Sequence, residues 1–150
     1  MVDSFVQIAI GCDHAGFAMK EYLRKELSAT GVPVTDFGVH SVQSADYPDI
    51  AHPLAAEVVS GRARFGILIC GTGNGMAMTA NKHRGIRAAL CWNAEIAGLA
   101  RLHNDANVLV LPGRFITEEE ALRAVKVFLE TAFEGGRHTL RIDKIDRDIQ

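Results

Sequence analysis

A cysteine, a glycine-rich turn and the start of a helix coincide at Cys70-Gly-Thr-Gly-Asn-Gly75. An unperturbed thiol ionises near pH 8.5, and a helix N-terminus lowers that value. A thiolate facing the backbone N–H groups of such a loop can attack a carbonyl. It can also take a proton from the carbon beside one, while the donors hold the developing oxyanion. The plainer reading of Cys70 is a small buried hydrophobe, the usual fate of a free cysteine. Asp13 and His14 in Gly11-Cys-Asp-His-Ala-Gly16, and His103 in His103-Asn-Asp105, add acid–base groups at ends of expected elements facing one crevice. Arg137 and Arg141 stand four apart, so a helical tail puts both on one face. Paired guanidiniums suit a phosphate. The plainer reading is a solvated tail balanced by Asp143, Asp146 and Asp148, although Ile142, Ile145 and Ile149 give it an apolar edge that docks on something.

Other uses of these loops fail on particular residues. A dinucleotide fingerprint needs Gly or Ala where Met76 stands and an acid after the next strand, where Cys91 and Trp92 stand. Gly11 to Gly16 has P-loop spacing, but Phe17-Ala18 replaces the Lys-Ser/Thr that holds phosphate and magnesium. A cysteine phosphatase needs an arginine at the position of Met76, and a receiver-type signalling domain needs an aspartate in place of Cys70. Cys70, His14 and His103 show no short paired spacing typical of zinc ligands, so no metal is expected. His40, His52 and His83 read as structural or exposed.

The elements that position these residues alternate regularly. Apolar runs at 5–10, 32–37, 65–70, 86–90 and 108–111 read as strands. Amphipathic stretches at 17–29, 49–60, 94–102 and 117–133 read as helices, with another from the glycine loop to Lys82. Thr117-Glu-Glu-Glu120 has the pattern of a capping box. The near-continuous apolar run at 65–70 marks a strand buried on both faces. Such alternation predicts a three-layer α/β domain with a parallel five-stranded sheet, with binding outside the carboxyl ends of the strands.

Composition narrows the partners. The 150 residues, one domain's worth, carry 16 Lys plus Arg against 18 Asp plus Glu, a net charge of −2. No global field attracts nucleic acid or an anionic membrane, so an anionic ligand must meet a few local cations. The 3 cysteines lack CxxC spacing and fit a reduced, cytoplasmic setting rather than a disulfide framework. No run approaches the length of a membrane span. A five-strand domain is complete before residue 134, so the tail 134–150 is expected to dock on a second copy and lend it the two arginines.

Taken together, Gly11-Cys-Asp-His-Ala-Gly16, Asp46-Tyr-Pro48, Cys70-Gly-Thr-Gly-Asn-Gly75, Ala80-Asn-Lys82, Gly85-Ile-Arg87, His103-Asn-Asp105 and Glu134-Gly-Gly-Arg-His138 resemble the type B ribose-5-phosphate isomerases. That family includes allose- and galactose-6-phosphate isomerases. The resemblance runs from about Val6 to Arg141. It implies a Rossmann-like α/β/α subunit, a homodimer or homotetramer with shared active sites, a small sugar-phosphate substrate, and no metal or organic cofactor. The expected reaction interconverts D-ribose 5-phosphate and D-ribulose 5-phosphate through a cis-enediolate. By the family pattern Cys70 is the base, Gly71, Gly73, Asn74 and Gly75 belong to the anion hole, and Thr72 lies close to the reacting oxygens. His103 opens the furanose ring, Asp13 and Asn104 hold sugar hydroxyls, and Asp46 and Tyr47 line the pocket. His14, Arg114, Arg137 and Arg141 bind phosphate, the last two from the partner subunit. Some relatives have serine for the cysteine and use a glutamate just after the glycine loop as base; Met76 stands there, leaving Cys70 without a competitor. A six-carbon aldose phosphate, a free aldose, or a non-catalytic sugar-phosphate-binding domain are the alternatives.

Overall fold

Three short runs, Ile8–Cys12 (β1), Phe65–Cys70 (β3) and Val108–Pro112 (β5), are buried along their whole length and form the centre of the sheet. The computed structural model describes residues 6–147. Val34–Asp36 (β2) and Ala88–Leu90 (β4) complete five parallel strands in the order β2-β1-β3-β5-β4. From β1 the chain moves outward to β2, then returns to the other side of β1 as β3. The carboxyl ends of β1 and β3 therefore flank the crevice at which strand order reverses.

Strand alternation sorts side chains into two layers. Ile8, Ile10, Phe65, Ile67, Ile69, Leu109 and Leu111 face the helices Phe17–Ala29 (α1), Ala94–Asn104 (α4) and Glu118–Glu130 (α5). Ala9, Leu68, Cys70, Val108 and Val110 face Tyr47–Val59 (α2) and Asn74–Ala80 (α3). A last short helix, Arg137–Asp143 (α6), follows α5 and puts Arg137 and Arg141 in helical register as their spacing predicts. The expected three-layer α/β architecture is the observed one.

Boundaries differ where local chemistry overrides pattern. The first strand begins at Ile8 and runs on through Gly11 and Cys12; Phe5, where it was expected to begin, lies outside the described residues, as do Asp148 and Ile149. Gly11 stays in the strand because α2 crosses close above it: an added Cβ would stand 2.6 Å from Ile50 Cγ2. α2 starts at Tyr47, with Pro48 in the first turn, where a missing N–H costs nothing. The second and fourth strands are shorter than expected. At the start of β4, Arg87 donates its N–H to the Asn107 side chain, and Ala88 donates to the Asn81 side chain. The box at Thr117 is half formed. Thr117 Oγ1 accepts from Glu120 N, while the Glu120 carboxylate accepts from Ala94 N and so caps α4. α4 extends to Asn104, making His103 and Asn104 residues of a helical last turn rather than of a loop.

Candidate active site

β3 delivers Cys70 to the carboxyl edge of the sheet, and the loop 71–73 turns the chain into α3. Gly73 takes φ 81°, and a Cβ there would stand 2.3 Å from Leu90 Cδ1, so only glycine fits the turn. Asn74 donates its N–H to Thr72 Oγ1 at 3.2 Å. The other N–H groups of the first turn of α3 have no acceptor within the helix. The loop is pinned from β5: Gly113 N donates to Cys70 O at 2.8 Å and Arg114 N to Gly71 O at 3.0 Å. The Arg114 side chain lies against Gly71, where a Cβ would stand 3.3 Å from its Cδ and Nη1. The Tyr47 ring covers Gly75, leaving 2.5 Å to a hypothetical Cβ.

β1 ends beside this loop. Asp13 caps the 3-10 turn His14–Gly16, its Oδ1 accepting from Ala15 N at 2.9 Å and Gly16 N at 3.2 Å. His14 Nδ1 accepts the Ala45 N–H at 3.2 Å. That bond assigns the ring proton to Nε2 and leaves an N–H available for an anion. Asp46 and Tyr47, at the start of α2, are exposed. One edge of one chain thus gathers Cys70, the loop to Gly75, Asp13, His14, Asp46, Tyr47 and Arg114. Cys70 is 5% exposed, at the edge of the core. Cys12 and Cys91 are wholly enclosed, and burial pushes both thiols up to about 12. They remain protonated at neutral pH.

His103 is elsewhere, which corrects the expectation that it shares a crevice with His14. Pairing sets Cys70 beside Pro112 and Gly66 beside Val108, so β5 alone spans about 13 Å between its two ends. α4 returns against the strands and deposits His103 and Asn104 just before Val108, at the amino edge. Arg101 fixes that end: its guanidinium donates to Thr131 O, Asp105 Oδ1 and Ala106 O, and lies over Phe65 and Phe128. Glu134 N donates to Leu102 O, bringing α6 to the same place. A groove of about 430 Å³ results, lined by His103, Asn104, His138, Arg141, Ile142 and Ile145.

Two residues there escaped a sequence-based role. The His138 ring stacks on His103 at 4.4 Å between centroids and 16° between planes. Both Nε2 atoms face one oxygen, Glu134 Oε2, at 3.7 Å from His138 and 3.8 Å from His103. No spacing in the sequence signals this, because Glu134 precedes α6 and the ring that His138 stacks on comes from α4. These three side chains offer donor atoms within 4.8 Å of one another, as a metal site does. An ion must lie in the plane of each imidazole it binds, however, and two nearly parallel rings share no such point. The arrangement suits proton handling instead.

Each chain therefore carries two side-chain clusters on opposite edges of the sheet. One holds the Cys70 thiol beside the glycine turn; the other holds two imidazoles and the arginine pair.

Comparison with known proteins gives the family. The family model for the ribose/galactose isomerases matches residues 8–145. The ribose-5-phosphate isomerase B of Escherichia coli is 44% identical over 139 residues, 93% of each chain. The crystal structure of a ribose 5-phosphate isomerase from Thermotoga maritima superposes with a TM-score of 0.93 at 53% identity, covering 95% of this chain and 98% of that one. The enzyme from Mycoplasma genitalium, solved with bound ribulose-5-phosphate, gives a TM-score of 0.91 at 43% identity over 95% of both chains. This chain belongs to the ribose/galactose isomerase family, the family of the type B ribose-5-phosphate isomerases.

Proposed function

We propose that the protein interconverts D-ribose 5-phosphate and D-ribulose 5-phosphate at a site formed by two copies of the chain. The carrying observation is the position of Cys70 at the β1/β3 switch point, against the N-terminus of α3 and among the residues that the family pattern assigns to the sugar. The Mycoplasma genitalium relative's complex with ribulose-5-phosphate supports the substrate.

In this reading the Cys70 thiolate removes the C2 proton of the open-chain aldose. The electron pair moves through C1–C2 and the carbonyl oxygen becomes the enediolate oxygen. The N–H groups of the 71–75 loop stabilise it, each such donor being typically worth about 3 to 4 kcal/mol. The proton returns at C1, the O2 proton passes to O1, and C2 becomes the carbonyl. Thr72 stands beside these oxygens, while Asp13, Asp46, Tyr47 and Asn104 hold the sugar.

The furanose must first open. The C1–O4 bond breaks as O4 takes a proton and the C1 hydroxyl gives one up. His103 does both, with no net change in its own charge. His14, Arg114, Arg137 and Arg141 grip the phosphate, whose binding orients the reacting carbons. Because His103, Asn104, Arg137 and Arg141 occupy the edge opposite Cys70, they serve the thiol of a second copy. The tail lies against its own chain, with Glu134 N donating to Leu102 O and Gly85 N to Asp146 Oδ2, and from there presents the arginines to the second copy, so that a two-fold dimer closes two such sites. With no global positive field, the phosphate meets only these local cations.

The test is a direct assay of ketopentose phosphate formation beside allose 6-phosphate, galactose 6-phosphate and free ribose. Ribose 5-phosphate is expected to give the highest kcat/KM. A hexose phosphate or a free aldose turning over faster would reassign the substrate, and phosphate binding without any turnover would make the chain a non-catalytic domain.

A further inference from the structure

We propose that His138, with Glu134, positions His103 for ring opening; the role rests on the function proposed above. His103 sits on the last turn of α4 with 39% of its side chain exposed, where nothing in the helix itself holds an imidazole plane. A ring that rotates freely spends little time aligned with both a ring oxygen and an anomeric hydroxyl. An ångström of misplacement costs up to about a hundredfold. His138 removes that freedom. Its side chain is 7% exposed, and its face covers the His103 ring at 4.4 Å. Glu134 Oε2 then faces both Nε2 atoms and sets the direction in which His103 Nε2 points.

The charge pattern supports the division of labour. His138 Nε2 is buried without a hydrogen-bond partner. Burial first, then the charges of His103 on α4 and of Arg137 and Arg141 on α6, hold its pKa below the ordinary value, with Glu134 opposing. His138 therefore stays neutral while His103 exchanges protons. A neutral aromatic face accepts a cationic ring, whereas a second imidazolium at this distance would repel it. His138 is thus a positioning residue rather than a group that touches the substrate.

Two partial reactions separate this role from simple support of the fold. Conversion of ribose 5-phosphate requires ring opening. Deuterium uptake from heavy water at C1 of ribulose 5-phosphate does not, because that ketose has its O5 esterified and is open-chain. His138→Ala is expected to lower kcat on the aldose about tenfold with KM within about twofold, while C1 deuterium uptake persists. His138→Phe, which retains a flat face, is expected to recover most of the loss. Glu134→Gln, at an exposed position, is expected to lower the aldose kcat severalfold and leave deuterium uptake intact. The proposal is overturned if His138→Ala retains the aldose kcat, or if its defect is in KM alone through displaced Arg137 and Arg141. It is overturned equally if His138→Phe is as impaired as His138→Ala, or, should His138→Ala not fold, if Glu134→Gln leaves the aldose rate unchanged. His103→Ala supplies the control: full aldose turnover there removes the ring-opening role itself, a different failure.

Discussion

Among the thiols, only Cys70 combines a strand end, a glycine turn and a helix start. Cys12 and Cys91 are enclosed and held as neutral thiols by burial. Iodoacetamide should therefore modify one cysteine of the native protein and all three after denaturation, with ribose 5-phosphate protecting the first. Labelling of Cys12 or Cys91 in the folded protein would contradict the burial argument. Cys70→Ala should lower turnover by about 10²- to 10⁴-fold with an unchanged circular dichroism spectrum. A variant with appreciable turnover would return Cys70 to the core. Most residues of this cluster are legible in the sequence, because they lie in the motifs 11–16, 46–48 and 70–75 and binding is expected outside the carboxyl ends of the strands. His138 was not, since a histidine on a short tail carries no sign of what it stacks upon.

At the scale of elements, the 71–75 turn depends on two glycines for different reasons. Gly73 needs a left-handed backbone and has Leu90 behind it, so Gly73→Ala should cost about 1–3 kcal/mol, read as a lower Tm. At Gly75 the three atoms nearest an added Cβ all belong to the ring of Tyr47, an exposed side chain that can swing away. Gly75→Ala should leave Tm nearly unchanged and raise KM, because the displaced ring is one proposed to line the sugar pocket. Equal losses of stability in both variants would count against this distinction.

α6 carries a pH dependence of its own. His138 has a folded-state pKa below its unfolded one, so its contribution to stability is present above about pH 6.5 and is lost as pH falls through the lower folded value. Between about pH 7.5 and about pH 5, wild type should lose more Tm than His138→Phe; parallel losses would remove that assignment. The strand and helix pattern is readable because short continuous apolar runs alternate with longer amphipathic stretches. The end of α4 was not, because His103-Asn-Asp105 reads as a polar loop until Arg101, buried against Phe65 and Phe128, ties the last turn to Asp105 and Ala106. His103 therefore lies in the last turn of a helix at the amino edge rather than in a loop beside His14.

The whole molecule follows from that edge. Parallel strands send every strand end one way and every helix return the other, so a base placed at the first and an imidazole at the second cannot meet within one subunit. The sequence suggested that Arg137 and Arg141 serve a second copy; in the proposed dimer His103 and Asn104, on the same edge, do so as well. Mixing Cys70→Ala chains with His103→Ala chains, each inactive alone, under conditions of demonstrated subunit exchange tests this directly. In a hybrid dimer one site holds both lesions and the other holds neither. Random pairing should then restore ketopentose phosphate formation to about one quarter of the wild-type rate. If Cys70 and His103 of the same chain form each site, every hybrid site carries one lesion, and the mixture stays inactive.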